Sequence, residues 1–177
     1  PVTPALAPDG MLWLAFEVDN QVYVSHSADR GKSFSSAVAV TPRKVHLDTG
    51  PDARASIVVD AKGRVFVAYA IFKDEMFNAE VFFSRSLDGG KHFSTPINVH
   101  HDRAETTHGF DALAVDGHGR VMVAWIDKRA RIATLAEGKP YAGSGIYYSW
   151  SNDKGASFVM ERKLVDHSCE CCRIVLA

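Results

Sequence analysis

The sequence lacks an excess of charge of either sign, and it lacks long apolar runs. Its 20 lysines and arginines nearly balance its 21 aspartates and glutamates, which leaves a formal net charge of −1. This balance gives no support for a protein that binds nucleic acid or a membrane surface through its charge. No apolar run approaches the ~20 residues that a membrane-spanning helix needs. At 177 residues and 46% hydrophobic, the chain is long enough to bury a sizeable core.

A secretion signal is also missing from the sequence. The chain starts at Pro1, already within a predicted strand, so we expect any signal to have been removed or to lie upstream. Cysteine is scarce as well, and the few that occur are gathered near residue 170.

One phrase, by contrast, occurs three times: Ser-x-Asp-x-Gly-x-x-Phe, with its serines 59 and 65 residues apart. An aspartate can accept hydrogen bonds from the exposed amides of a tight turn, and a glycine can take the positive φ that such a turn requires. The serine can add a local hydrogen bond, and the aromatic ring can cover the turn. Each copy therefore predicts a hairpin. The copies are Ser27, Asp29, Gly31 and Phe34; Ser86, Asp88, Gly90 and Phe93; and Ser151, Asp153, Gly155 and Phe158.

The residues around each turn repeat as well. Each unit contains an inner strand, a glycine turn, a second strand, a variable loop, a third strand, the Asp-bearing hairpin and an edge strand. Repeats of roughly 40–60 residues with several short strands are typical of propeller blades. We therefore predict a single all-β domain over 1–177 made of four-stranded antiparallel blades. The predicted inner strands are 4–7, 56–59 and 112–115, and the edge strands are 37–40, 96–99 and 162–165. The predicted blades cover about 1–45, 46–105 and 106–166, with the start of a fourth at 167–177.

Three such turns, one blade apart, resemble the sialidase-like propellers, also called BNR or Asp-box repeat proteins. The resemblance covers nearly the whole chain and implies a secreted protein, extracellular or periplasmic. In that family the turn lies at the outer rim of the blade, away from the catalytic mouth. The first blade also looks like that of a true sialidase, except that Val2 stands where the family has an arginine that binds the substrate carboxylate.

Three blades make an incomplete ring, because propellers have ~4–8 blades. Residues 173–177 look like the inner strand of a fourth blade. Members of the resembled family usually have six blades. We therefore expect the chain to be about half of a longer protein, or two copies to complete one ring, and we favour the first arrangement.

Candidate ligand-binding residues lie where the inner strands start, near the propeller axis. Arg54 and Arg173 take equivalent places in their units, and a guanidinium there could bind an anion bidentately. The alternative is a structural ion pair, with Asp52, Asp111 or Glu170 as partner. The loop 100–108 leads to the same place, so His108 and Asp111 are further candidates for the mouth. The histidines and acidic residues of the loop 100–108 are either metal ligands or general acid–base groups, or they are solvated loop residues.

Two features of the third unit lie further along the chain. The phrase Trp125-x-Asp127-x-Arg129 looks like one found in non-hydrolytic relatives, and we expect its aspartate to bridge loop amides and the arginine. The insertion 131–144 predicts a mobile flap on the binding face, formed by Tyr141 with Gly143 and Gly145. Catalytic sialidases use a tyrosine nucleophile assisted by a glutamate, but no tyrosine here can be assigned to that role.

All three cysteines lie within four residues, at Cys169, Cys171 and Cys172, close to His167. Three thiolates and an imidazole form a soft ligand set that suits Cu(I) or Zn. The other interpretations are a disulfide, Cys169–Cys172 or a neighbouring pair, with one free thiol, or pairing with partners in the missing half of the ring, or thiols without a role.

The resemblance and the candidate residues lead to two hypotheses for the function. The favoured one is a secreted module that binds a glycan, a protein or a metal ion without clear catalytic residues. The alternative is an exo-α-sialidase-type glycoside hydrolase whose remaining catalytic residues lie outside this chain. The propeller provides a funnel but does not by itself specify a reaction.

Overall fold

The structure is a computed structural model, and it describes residues 1–50, 52–73 and 78–176. It contains three four-stranded antiparallel sheets with the orders β1-β2-β3-β4, β5-β6-β7-β8 and β9-β10-β11-β12. None of its described helices has the length and apolar character to cross a membrane. The elements are β1 (Val2–Leu6), β2 (Leu12–Val18), β3 (Gln21–Ser27), β4 (Val38–Ala39), β5 (Ser56–Val59), β6 (Val65–Phe72), β7 (Ala79–Ser86), β8 (Ile97–Asn98), β9 (His108–Val115), β10 (Val121–Asp127), α1 (Arg129–Ala136), β11 (Ser144–Ser151) and β12 (Arg162–Ser168).

The predicted fold class is confirmed: three sheets of four antiparallel strands, each following the chain in order, are blades of a propeller-like fold. Residues 173–176, predicted as an inner strand, form no strand with the described residues, and Ala177 lies outside them. An inner strand pairs with the second strand of its own sheet, and no described residue supplies one here. The fourth blade and the blade boundaries therefore stay predictions.

The three copies of the repeated turn form the same hydrogen bonds. The Ser27 hydroxyl donates to Asp29 Oδ1 over 2.7 Å and accepts from the Gly31 amide over 2.8 Å. Ser86 with Asp88 and Ser151 with Asp153 repeat this pairing at 2.7 and 2.6 Å. The Ser33 side chain and amide, together with Ser27, donate to Asp29 and lower the pKa of its carboxyl to about 2. The turn therefore holds an ionised aspartate between hydrogen-bond donors.

The core lies between the sheets. Side chains alternate along β6, so Val65, Val67 and Tyr69 pack toward the first sheet while Phe66 and Ala68 pack toward the third. The first six residues of β6 are all buried because the sheet has a neighbour on both sides. The middle blade thus joins two hydrophobic clusters into one body.

Glycines of the repeated turns lie against aromatic rings of the preceding sheet. Gly90 contacts Trp13 of the first sheet, and Gly155 contacts Phe83 of the second. A Cβ atom added at Gly90 would lie 2.6 Å from the Trp13 ring, which is closer than van der Waals contact allows. Arg85 reinforces the second of these contacts by donating to the backbone carbonyls of Asp153 and Lys154, at 3.0 and 2.8 Å.

The Gly90–Trp13 contact can be tested with two alanine substitutions. Gly89 and Gly90 both have positive φ, +76° and +81°, but only a Cβ atom at Gly90 would meet Trp13. We expect Gly89→Ala to cost about 1–2 kcal/mol of unfolding free energy through backbone strain. Gly90→Ala should cost about 1–3 kcal/mol more through overpacking. Denaturant unfolding of both variants measures the difference, and equal losses would contradict the contact.

Candidate functional site

The candidate site lies where the three inner strands begin. β5 lies between β1 and β9 and contacts both. Hydrogen bonds from the start of β5 reach both neighbouring strands. Arg54 Nη1, just before β5, donates to the Val2 carbonyl of β1 over 3.4 Å, and the Ser56 hydroxyl donates to the Asp111 carbonyl of β9 over 2.9 Å. The starts of the inner strands are therefore fixed side by side, and polar side chains from all three sheets meet there.

Three carboxyl groups, which we call the carboxyl cluster, gather at this place: Glu17 at the end of β2, Asp48 before β5 and Asp111 in β9. Glu17 Oε1 accepts from the Ala55 amide over 3.3 Å, and Asp48 lies against Gly109 of β9. Burial raises the pKa of all three carboxyls. The pKa of Asp111 rises to about 7, mainly through burial, with further contributions from the charges of Asp48 and Glu17.

A β-bulge aims Asp111 at the cluster. Gly109 pairs with Ile126 and Ala112 with Ala124, so Phe110 and Asp111 together oppose Trp125. Phe110 takes a φ of +55°, an unusual conformation for a bulky residue. Bulges of this kind re-aim side chains and often lie next to functional sites.

Several polar atoms of the site are buried without a hydrogen-bond partner among the described residues: Arg54 Nε, Glu17 Oε2, Asp111 Oδ2 and Thr3 Oγ1. A buried polar atom without a partner costs about 1–3 kcal/mol, so native proteins rarely leave several together. Beside Glu17 the surface forms a depression of about 270 Å³. It is also lined by Pro1, Asp19, Asn20, Leu47 and Thr49. The arrangement offers both acceptors and a donor to a polar ligand.

The structure places the two predicted arginines differently. Arg54 belongs to the site, and within the described part of the chain it forms no ion pair with Asp52, Asp111 or Glu170. Glu170 pairs instead with Lys128 and Arg131. Arg173 is exposed just after the cysteines. Ligand binding by either arginine stays a prediction.

His108 lies at the start of β9, but its ring is fully buried. Its Nδ1–H donates to the Ala79 carbonyl over 3.1 Å, while Nε2 lies 3.1 Å from Asp102 and 3.4 Å from Asp127. Both ring nitrogens thus have oxygen atoms of other residues within hydrogen-bonding or ion-pair distance. The ring is therefore buried between the second and third sheets, and its role in ligand binding stays a prediction.

His100 stacks on His108 with ring centroids 4.1 Å apart. Its Nδ1–H donates to the Asp102 carbonyl, and its Nε2 accepts from the Val81 amide. Burial first, and then the charge of His108, lowers the pKa of His100 to about 3. The loop 100–108 thus contributes two buried, stacked histidines, while His101, Arg103 and Glu105 of the same loop are exposed.

The expected structural role of Trp125-x-Asp127-x-Arg129 is confirmed. Asp127 accepts from the Trp125 indole over 3.0 Å, from the Arg129 amide over 2.9 Å and from its guanidinium over 2.6 Å. Arg129 also binds Glu161 over 2.8 Å, and Glu161 accepts from the amides of His101 and Asp102. The network ties the loop after the second sheet to the third sheet.

The insertion differs from the predicted free flap. Residues 129–136 form α1, and Gly145 belongs to β11. The Tyr141 hydroxyl donates to Asp166 over 2.5 Å, and Gly143 lies so close to Ser168 that any side chain at Gly143 would collide with the Ser168 carbonyl. The segment therefore packs on β12.

Cys169 and Cys172 form a disulfide, and Cys171 is free and exposed. The three sulfur atoms all lie within 4.8 Å of one another. His167 is not part of this group: its Nδ1–H donates to the Ala142 carbonyl over 3.0 Å, and its ring lies 4.5 Å from that of Tyr141. The structure thus has the disulfide with one free thiol, and it brings the three sulfurs together without the imidazole.

The fold defines a class, the β-propellers, and solved structures support it. The chain is similar to an α-L-arabinanase of Penicillium chrysogenum complexed with arabinobiose, with a TM-score of 0.61 and 15% identity over 93% of this chain and 50% of that one. It is similar to an ulvan lyase of polysaccharide lyase family PL25, with a TM-score of 0.61 and 15% identity over 95% and 44% of the two chains. It is also similar to the sialidase NanB of Streptococcus pneumoniae, with a TM-score of 0.54 and 14% identity over 87% and 22%.

No protein-family model and no curated relative matches the sequence. Identities this low show a shared fold. The fold-level resemblance to sialidase-like propellers is confirmed, since the similar structures include a sialidase and other propellers that act on glycans. The chain spans about half the length of the first of these structures.

Sequence reasoning missed Glu17 and Asp48. Glu17 stands near the end of a second strand, as Asp127 does in the third unit, and this shared position is a signal that could have pointed to it. Asp48 belongs to no sequence motif. It reaches the site because the loop before β5 returns to the place where the inner strands begin.

The raised pKa of Asp111 predicts a pH-dependent stability. A carboxyl whose folded pKa is about 7 and whose unfolded pKa is ~3.9 stabilises the fold fully below pH ~4, and this contribution is lost as the pH rises through 7. We expect Asp111→Asn to become more stable relative to the wild type between pH 5 and pH 8, by on the order of 2–4 kcal/mol. Chemical unfolding at both pH values measures this. Asp52→Asn, at an exposed carboxyl, should show no such change, and parallel behaviour of the two variants would contradict the assignment.

Proposed function

We propose that this chain is part of a secreted, sialidase-like propeller that binds a carbohydrate at its mouth without hydrolysing it. The observation that carries the proposal is the carboxyl cluster beside Arg54, with buried polar atoms that lack partners among the described residues. The solved structures of similar fold include propellers whose titles describe an arabinanase, an ulvan lyase and a sialidase, which supports a glycan as ligand.

The chemistry of the cluster suits a sugar. Hydroxyl groups of a glycan donate to carboxylate oxygens such as Glu17 Oε2, and Arg54 donates to a ring oxygen or to an acidic sugar. Because the pKa of Asp111 is about 7, its carboxyl can also donate when protonated near neutral pH. Both kinds of hydrogen bond are thus present within one site.

Three residues, Val2, Tyr69 and Tyr141, support the proposal that the ligand is bound and not hydrolysed. Val2 stands where the resembled family has an arginine of its carboxylate-binding trio. The Tyr69 hydroxyl bonds to Ser84 in the core, and the Tyr141 hydroxyl bonds to Asp166 at β12. Neither tyrosine hydroxyl is directed to the carboxyl cluster.

The proposed partner of these three sheets is the remainder of the propeller ring. On the outer face of the first sheet, Phe16 and Tyr23 stack with centroids 6.0 Å apart, and on that of the third sheet Tyr148 and Trp150 stack at 5.9 Å. Further blades of a longer protein, or a second copy of this chain, would cover these apolar faces and complete the mouth.

The glycan proposal is tested by binding measurements on the full protein. A panel of neutral, sialylated and uronic-acid oligosaccharides identifies the ligand, and calorimetry gives its affinity. We expect Arg54→Ala to weaken binding about tenfold or more, because a charged hydrogen bond is lost. Arg43→Ala, at an exposed arginine after β4, is the matched control and should bind as the wild type does. Loss of affinity in both variants, or in neither, would contradict a ligand at the mouth.

A glycoside hydrolase of the exo-α-sialidase type is the second candidate, and the raised pKa of Asp111 favours it. A carboxyl with a pKa of about 7 can act as a general acid at neutral pH. With a fluorogenic sialoside and the full protein, we expect no turnover above background. If the protein does turn over the sialoside, and Asp111→Asn abolishes this turnover while Asp52→Asn leaves it unchanged, the hydrolase replaces the binding function.

A further inference from the structure

The segment after β12 carries a group of sulfur atoms that the carbohydrate site does not use. Cys169, Cys171 and Cys172 are exposed, and their sulfurs all lie within 4.8 Å of one another. Cys169 and Cys172 are joined as a disulfide, and the free Cys171 sulfur lies 4.0 Å from that of Cys169. Three sulfurs therefore share one small volume on the surface.

This segment is held in place on two sides. Glu170, between the first two cysteines, forms ion pairs with Lys128 and Arg131 at the start of α1. On the other side, the Tyr141 hydroxyl holds Asp166 and the Ala142 carbonyl holds His167. The sulfurs thus sit on a loop whose position is fixed by α1 and by the segment before β11.

We propose that the three cysteines, when reduced, form a Cu(I) site. Cu(I) is selected by soft thiolate ligands, and three such ligands suit a trigonal ion. Structural zinc takes four ligands in a tetrahedron, and the described residues bring three sulfurs together without the His167 imidazole. The number and kind of clustered ligands favour copper over zinc.

The oxidised cluster of the structure and the metal site differ by two electrons. A dithiol or a phosphine reductant supplies these electrons, and the Cys169–Cys172 bond breaks. A dithiol gives one proton to each sulfur and becomes a disulfide. With a phosphine, a water molecule supplies both protons and the oxygen of the resulting phosphine oxide. One Cu(I) ion then binds the three sulfurs as their thiol protons pass to the solvent. Lys128 and Arg131 lie next to the loop, so they partly offset the negative charge of three thiolates around one monovalent ion.

The test uses the full protein and Cu(I) supplied as its acetonitrile complex. Thiol titration should find about one accessible thiol before reduction and about three afterwards in this region. After anaerobic reduction and removal of the phosphine, the protein should withdraw about one Cu(I) per chain from the coloured bicinchoninate complex. The oxidised protein should withdraw none.

Variants separate the cluster from other copper-binding groups. Cys171→Ser keeps both cysteines of the disulfide, and Cys169→Ser removes one of them. We expect the reduced form of each variant to lose copper binding. His118→Ala, at a turn in the third sheet, is the control and should retain it. Circular dichroism checks that the exposed substitutions leave the sheets folded. Copper retention in both serine variants, or tighter binding of Zn than of Cu(I) by the reduced wild type, would overturn the proposal.

Discussion

Face-to-face packing of the sheets is the constraint on which the rest of the structure depends. The middle sheet has no free face, since β6 sends Val67 and Tyr69 to one side and Phe66 and Ala68 to the other. An isolated four-stranded sheet of this size would leave one apolar face in water, which costs about 25 cal/mol for each Å² of apolar surface left exposed. Stacking removes that cost, and it also brings the starts of the inner strands side by side.

The candidate site is a product of that stacking. Glu17, Asp48 and Asp111 come from separate stretches of sequence, and they meet because the starts of the inner strands are brought side by side. Their burial raises each pKa, so the fold stores an electrostatic cost at the mouth. The stacked sheets provide the stability that offsets it, which is a common arrangement at functional sites.

The strands and turns could be predicted because their signals are local. Alternation in sequence and the turn chemistry of Ser27, Asp29 and Gly31 repeat in each unit, and both act within a few residues. α1 was missed because its signals are weak: Lys128 provides no side-chain cap, and none of its residues is buried. The burial of His108 could not be predicted either, since it depends on Ala79 and Asp127 from other strands. The same holds for the bulge that turns Asp111 inward.

The contacts between turns and rings run in one direction along the chain. Gly90 of the second sheet lies on Trp13 of the first, and Gly155 of the third lies on Phe83 of the second. During synthesis, the second and third sheets therefore each meet a ring of the sheet made just before, so these sheets can dock in chain order. Gly31, in the first sheet, contacts Leu12 and Phe34 of its own sheet instead. The two contacts between sheets thus place the three described sheets in the order in which they follow one another along the chain.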